Sequence, residues 1–102
     1  MAKLTVIYWR DIPAQVVGQQ GRTRHKQELD RRFALAIDRA AMRAGKGSSQ
    51  AYLEEWRRES RPCSGDLESA VQAEVSRLEA LFPADILERT VKNGGLVDKE
   101  TT

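Results

Sequence analysis

The chain has 102 residues, 40% hydrophobic and 31% charged, enough for one self-sufficient core and too apolar for a disordered polymer. Its one cysteine, Cys63, excludes a disulfide framework within the chain and fits a reducing compartment, so a cytoplasmic location is expected. The net charge of +2 hides an asymmetry: residues 1–62 hold thirteen Lys and Arg against seven Asp and Glu, whereas residues 63–102 hold four against eight. Such a bias steers anionic partners to one face or draws two copies together, and it also arises from two solvated surfaces that merely differ.

In chain order, Lys3 to Arg10 reads as a strand. Leu4, Val6 and Tyr8 alternate with Thr5, Ile7 and Trp9, and both sets are largely apolar. A strand greasy on both faces lies inside a covered sheet or at a dimer interface, so a homodimer is one expectation. Its longest apolar run, Val6 to Trp9, is far too short to cross a bilayer, and no leader-like apolar stretch follows Lys3. Pro13 lacks a backbone donor and is expected to halt the strand. Ala14 to Val17 forms a short second strand, Gly18-Gln-Gln-Gly21 supplies the turn, and Arg22 to Leu29 forms a polar edge strand.

Asp30 opens the clearest helix, with Phe33, Ala36, Ile37, Ala40, Ala41 and Ala44 on one face and Gly45 at its end. A loose connection is expected over Lys46 to Ser49. Residues 48–60 fit two periods. As a helix, capped by Ser48 or Ser49, they place Tyr52, Leu53 and Trp56 together. As a strand, Tyr52, Glu54, Trp56 and Arg58 alternate with Leu53, Glu55 and Arg57. The flanking helices need a sheet to cover, which favours a strand at the centre of this segment. A second long helix follows, capped by Ser64 and carrying the stripe Leu67, Val71, Val75, Leu78 and Phe82. Pro83 ends it and starts a short helix containing Ile86, Leu87 and Val91, closed by Asn93-Gly94-Gly95. The expected architecture is α+β. One small domain over residues 1–95 has a three- to four-stranded sheet packed against two main helices plus a short C-terminal helix, and a flexible tail follows at 96–102.

Catalytic constellations are hard to assemble from this composition. His25 and Cys63 are the sole His and Cys, too few for a zinc site, so neither metal nor cofactor is expected. His25 sits between Arg24 and Lys26 with nothing to orient it, and reads as a solvated strand residue. Cys63, beside a helix start and near Arg61, reads as an incidental loop thiol that becomes reactive if exposed. The glycine pair 18 and 21 is neither a P-loop nor the helix-joining GxxG of RNA-binding domains. A basic patch, Arg22, Arg24, Lys26, Arg31 and Arg32, is diluted by Glu28 and Asp30 and has no aromatic for base stacking, so nucleic acid is not the expected ligand.

Two Trp-Arg elements remain. Tyr8-Trp9-Arg10 and Trp56-Arg57-Arg58 join residue types that dominate binding hot spots. Paired across a sheet, they form one aromatic and cationic surface for a protein partner or a polycarboxylate. The plainer reading makes both tryptophans core residues with arginines reaching outward.

The phrases TVIYWRDIPAQV, RRFALAIDRAAMRAG and AYLEEWRRESRPCSGDLE resemble a family of small bacterial proteins named after a "virulence factor" domain, over roughly residues 3 to 82. The name describes a phenotype and defines no catalytic residue here. The resemblance implies a neighbourhood of folate- and corrinoid-dependent methyl transfer. The expected function is a non-catalytic accessory or interaction protein, and the resemblance implies a tie to one-carbon metabolism with a methyl-transfer enzyme as partner. The rival readings are a small enzyme or ligand-binding subunit using Arg10, Asp11 and Arg58, and an RNA-binding module using residues 22 to 32.

Overall fold

The computed structural model describes residues 2–46 and 49–97, among which four strands and four helices form one α+β domain. The strands are β1 (Ala2–Trp9), β2 (Ile12–Gln20), β3 (Thr23–Glu28) and β4 (Trp56–Cys63). The helices are α1 (Arg31–Arg43), α2 (Ser49–Leu53), α3 (Leu67–Leu81) and α4 (Ala84–Lys92). All neighbouring strands are antiparallel, in the order β3-β2-β1-β4. No helix among the described residues is long and apolar enough to cross a membrane.

β1 is an interior strand of the sheet, but only its α3-facing side is covered along its length: on the other face Trp9 is buried, Thr5 and Ile7 are half-buried and Lys3 is exposed, so the expected cover on both faces holds at one end only. Its Leu4 and Val6, with Val16 of β2, join the core built by α1 and α3. The halt expected at Pro13 comes earlier. β1 ends at Trp9, and a two-residue turn, Arg10-Asp11, joins it to β2. Pro13 lies inside β2 opposite Tyr8, and the register slips between Ile7 and Tyr8, leaving Ala14 as the extra residue. The Ala14 carbonyl accepts the Leu29 N–H at 3.1 Å, so the bulge fastens β2 to the end of β3.

Gly18 is a strand residue and not part of the turn; Gly21 and Arg22 alone connect β2 to β3. A Cβ on Gly18 would come within 2.7 Å of Val71 Cγ2 and 2.8 Å of Leu67 Cδ1, so its missing side chain is what seats α3 on the sheet.

Segment 48–60 is divided between both of its periods. Residues 49–53 are helix, Trp56 onward is strand, and Ser48 lies outside the described residues, as does part of the 46–49 connection. The α3 cap is Asp66 rather than Ser64, because Gly65, at φ +83°, turns the chain first; Asp66 accepts the Ser69 N–H at 3.0 Å. Cys63 consequently ends β4, half-buried, and is not at a helix start.

Asp30 caps α1 as expected. Arg32, in that first turn, reaches across to the end of α3 and donates to the Glu79 and Phe82 carbonyls at 3.1 and 3.2 Å. The Glu79 carbonyl also accepts the Phe82 N–H at 3.3 Å, so the guanidinium adds a second donor there, supplies one to the Phe82 carbonyl and complements the negative helix end. Glu79 returns the tie, its carboxylate accepting the Asp30 N–H at 2.7 Å. On the far side, Arg39 of α1 and Glu88 of α4 form a two-pronged ion pair at 2.9 and 2.7 Å.

Candidate functional site

The two Trp-Arg elements do meet. In the β1–β4 ladder Trp9 stands opposite Trp56, Tyr8 opposite Arg57 and Ile7 opposite Arg58. Alternation then splits them, because neighbours along a strand point to opposite faces. Tyr8 and Arg57 share the helix-bearing face, with the guanidinium 4.5 Å from the ring centroid. Trp9, Trp56 and Arg58 are directed to the other face.

Trp9 has no exposed surface. Its indole N–H donates to the Tyr52 carbonyl at 2.9 Å, and its ring stacks on Tyr52 with centroids 5.8 Å apart. It therefore supports the region from beneath instead of forming a surface. Trp56 is half-buried and meets Tyr52 edge to face.

The arginines at the β1–β2 turn are occupied. Arg10, a non-glycine residue at φ +54°, donates to the Gly94 carbonyl at 2.9 Å and pairs with Glu55 at 3.3 Å. Arg57 donates to the Arg10 carbonyl at 3.0 Å and pairs with Asp11 at 3.3 Å and with Glu59. Asp11 accepts the Val97 N–H at 2.8 Å, which anchors the second residue of the tail expected to be loose; residues 98–102 lie outside the described part. Such a corner is a clamp joining the first hairpin to the chain's last described residues.

Unpaired cations lie elsewhere. Lys3 and Ile7 of β1, Gln15, Val17 and Gln19 of β2, Arg24, Lys26 and Glu28 of β3, and Arg58 and Ser60 of β4 share the sheet face opposite α3. Thr5 and Ser60 mark it by a hydroxyl–hydroxyl bond of 2.9 Å. Most of these side chains are exposed or half-exposed, with Val17 tucked among them. Lys3, Arg24, Lys26 and Arg58 make no ion pair with any described residue, and Glu28 is the one carboxylate among the residues of this face.

The basic patch read from the sequence thus divides. Arg24 and Lys26 belong to the open face, and Arg22 lies in the turn beside it. Arg31 is exposed on α1, and Arg32 is committed to capping α3. His25 is half-buried on the other side of β3, opposite Gly18 and towards α3.

One charged cluster escaped sequence reasoning. Glu74 of α3 is buried, and its carboxylate receives Arg77 at 2.6 Å and Arg61 of β4 at 2.5 Å. Hydrogen bonds from Arg77 hold its carboxyl below the ordinary glutamate range, against the opposing effect of burial, with the Arg61 charge adding to the lowering. Nearby, burial pushes the Tyr8 phenol up, partly offset by Arg57. The sequence did hold a signal: Glu74 lies three residues after Val71 and four before Leu78, on the apolar stripe itself. No group of three or more His, Cys, Asp or Glu placed to hold a metal occurs among the described residues.

A family model described as "Virulence factor" matches residues 7–91. Searches of curated proteins and of solved structures returned no match.

Proposed function

The chain belongs to the virulence factor family, and we propose that it works there as an accessory protein that docks an acidic surface of a partner protein onto its open sheet face. The carrying observation is the contrast in pairing. Arg10 of the β1–β2 turn and Arg57 of β4 are neutralised by Glu55, Asp11 and Glu59, while Lys3, Arg24, Lys26 and Arg58, around Ile7 and Val17, make no ion pair with any described residue. A small apolar centre ringed by unpaired cations complements an acidic protein patch. Nucleic acid fits less well, because base recognition on a sheet uses exposed aromatic rings, and on this face Trp9 is buried and Trp56 is half-buried, edge to face with Tyr52 at the end of the sheet. The partner to test first is a folate- or corrinoid-dependent methyl-transfer enzyme, the neighbourhood that the family resemblance implies.

Arg24, Lys26 and Arg58 are exposed, so replacing all three by Glu leaves the core untouched. The wild-type chain, immobilised, is expected to retain the purified methyl-transfer enzyme, more weakly as salt rises, and the triple variant to lose it. Equal retention by the variant overturns the face. Retention of RNA but of no acidic protein overturns the choice of partner.

A further inference from the structure

A cleft of about 410 Å³ opens where the open sheet face meets α1 and α2, within the size range of small-ligand sites. Gln15, Glu28, Arg31, Ile37, Tyr52 and Trp56 are among its lining residues, drawn from β2, β3, α1, α2 and β4. Tyr52 and Trp56 stand with their ring planes 83° apart and centroids 5.8 Å apart, forming two walls of a corner into which a flat or branched apolar group fits. Ile37 adds a buried aliphatic surface. Glu28 and Arg31 stand at the rim. Although three positions apart in sequence, they make no ion pair with each other or with any described residue. Gln15 is the direct cross-strand neighbour of Glu28 and adds both a donor and an acceptor.

We propose that this cleft binds a zwitterionic α-amino acid with an apolar or aromatic side chain. Its ammonium group would meet Glu28, its carboxylate Arg31, and its side chain the Tyr52–Trp56 corner. The pairing of charges selects this class. A simple carboxylate drawn to Arg31 is repelled by Glu28, and a simple amine drawn to Glu28 is repelled by Arg31. A ligand with both charges one carbon apart satisfies both groups and uses the guanidinium's two-pronged geometry. This site is separate from the docking cations Arg24, Lys26 and Arg58, none of which lines it.

The test is a titration of the full chain with L-phenylalanine, followed by backbone amide NMR shifts and by Trp56 emission under excitation that the ligand does not absorb. Saturable shifts centred on Gln15, Glu28, Arg31, Tyr52 and Trp56 are expected. Glu28→Gln and Arg31→Gln, both at exposed positions, should each weaken binding by about tenfold. N-acetyl-L-phenylalanine and phenethylamine, each with one charge, should bind at least about tenfold more weakly than the amino acid. No saturation up to about 10 mM, equal binding of the N-acetyl compound, or shifts centred elsewhere would overturn the proposal.

Discussion

Gly95 lies flat against the Trp9 indole: a Cβ there would come within 2.8 Å of Cζ3 and 3.2 Å of Cε3. The glycine also sits at φ +96°, so it answers to sterics and backbone conformation together. Gly95→Ala is expected to cost about 2–4 kcal/mol, combining overpacking with backbone strain. Gly21→Ala, at φ +60° with open space around it, should cost about 1 kcal/mol. Urea midpoints of the two variants check the difference; equal midpoints would remove the indole contact as a determinant.

Burial separates the two tryptophans. The Trp56→Phe protein, which keeps the fully buried Trp9, should emit blue and resist acrylamide. The Trp9→Phe protein, which keeps half-buried Trp56, should be quenched more readily. Trp9→Phe also leaves the Tyr52 carbonyl without its indole donor, at a cost of about 1–3 kcal/mol.

The contact between Gly18 and α3 predicts a compensated pair. Gly18→Ala should destabilise by about 1–3 kcal/mol through its clash with Val71 and Leu67. Combining it with Val71→Ala should cost less than the sum of the two single changes, since the second opens space for the first. Chemical denaturation of all four proteins closes the cycle, and strict additivity would deny the contact.

Glu74 sets part of the acid limb of stability. Its carboxyl is held below the ordinary value in the folded protein, so the unfolded chain takes up the proton first on acidification. The stabilisation is therefore complete above the unfolded-state value, near pH 4.5, and is lost as pH falls through the lower folded value. Glu74→Gln should lower stability by about 1.5–3 kcal/mol at neutral pH and narrow its gap to wild type below about pH 4. Thermal melts across that range provide the check; a gap constant with pH would show that the charge is not what Arg61 and Arg77 recognise.

Arg32 joins two helix ends through one terminal guanidinium nitrogen, Nη2, which donates to both carbonyls. Arg32→Lys keeps the charge but cannot reach the Glu79 and Phe82 carbonyls with the same geometry. A loss of about 1–2 kcal/mol is expected, with faster hydrogen exchange in the last turn of α3 and the first turn of α1. Protection unchanged at both ends would make the bridge energetically idle.

Much of this fold was legible in the sequence because several elements carry long, unambiguous patterns. The α1 face of Phe33, Ala36, Ile37, Ala40 and Ala41 and the α3 stripe of Leu67, Val71, Val75 and Leu78 were readable from spacing alone. Segment 48–60 was not, because its two aromatics belong to different elements. Tyr52 lies in the last turn of α2 and Trp56 starts β4, yet their rings meet edge to face, so both periodicities contained some truth. Pro13 misled for a related reason. No local residue pattern signals that β3 ends opposite Gln15, which leaves Pro13 pairing with β1 alone, where its missing N–H is tolerable.

The candidate site was harder still. That Tyr8-Trp9-Arg10 would lie beside Trp56-Arg57-Arg58 was readable as a pairing, but the pleat that sends Arg57 and Arg58 to opposite faces depends on register. Nor does local sequence show which arginines are neutralised, since Glu55, Asp11 and Glu59 reach them only through the turn and the ladder. The cleft between Glu28, Arg31, Tyr52 and Trp56 draws on five elements and left no local trace.

The clamp around the first turn also orders events in time. Arg10 and Asp11 leave the ribosome first, and their partners Gly94, Gly95 and Val97 follow more than eighty residues later. Until they arrive, Arg10 must hold a left-handed backbone without the carbonyl that fastens it, and one side of Trp9 stays wet. The nascent hairpin is therefore a provisional structure. Its turn becomes permanent only when residues 94–97 return to it.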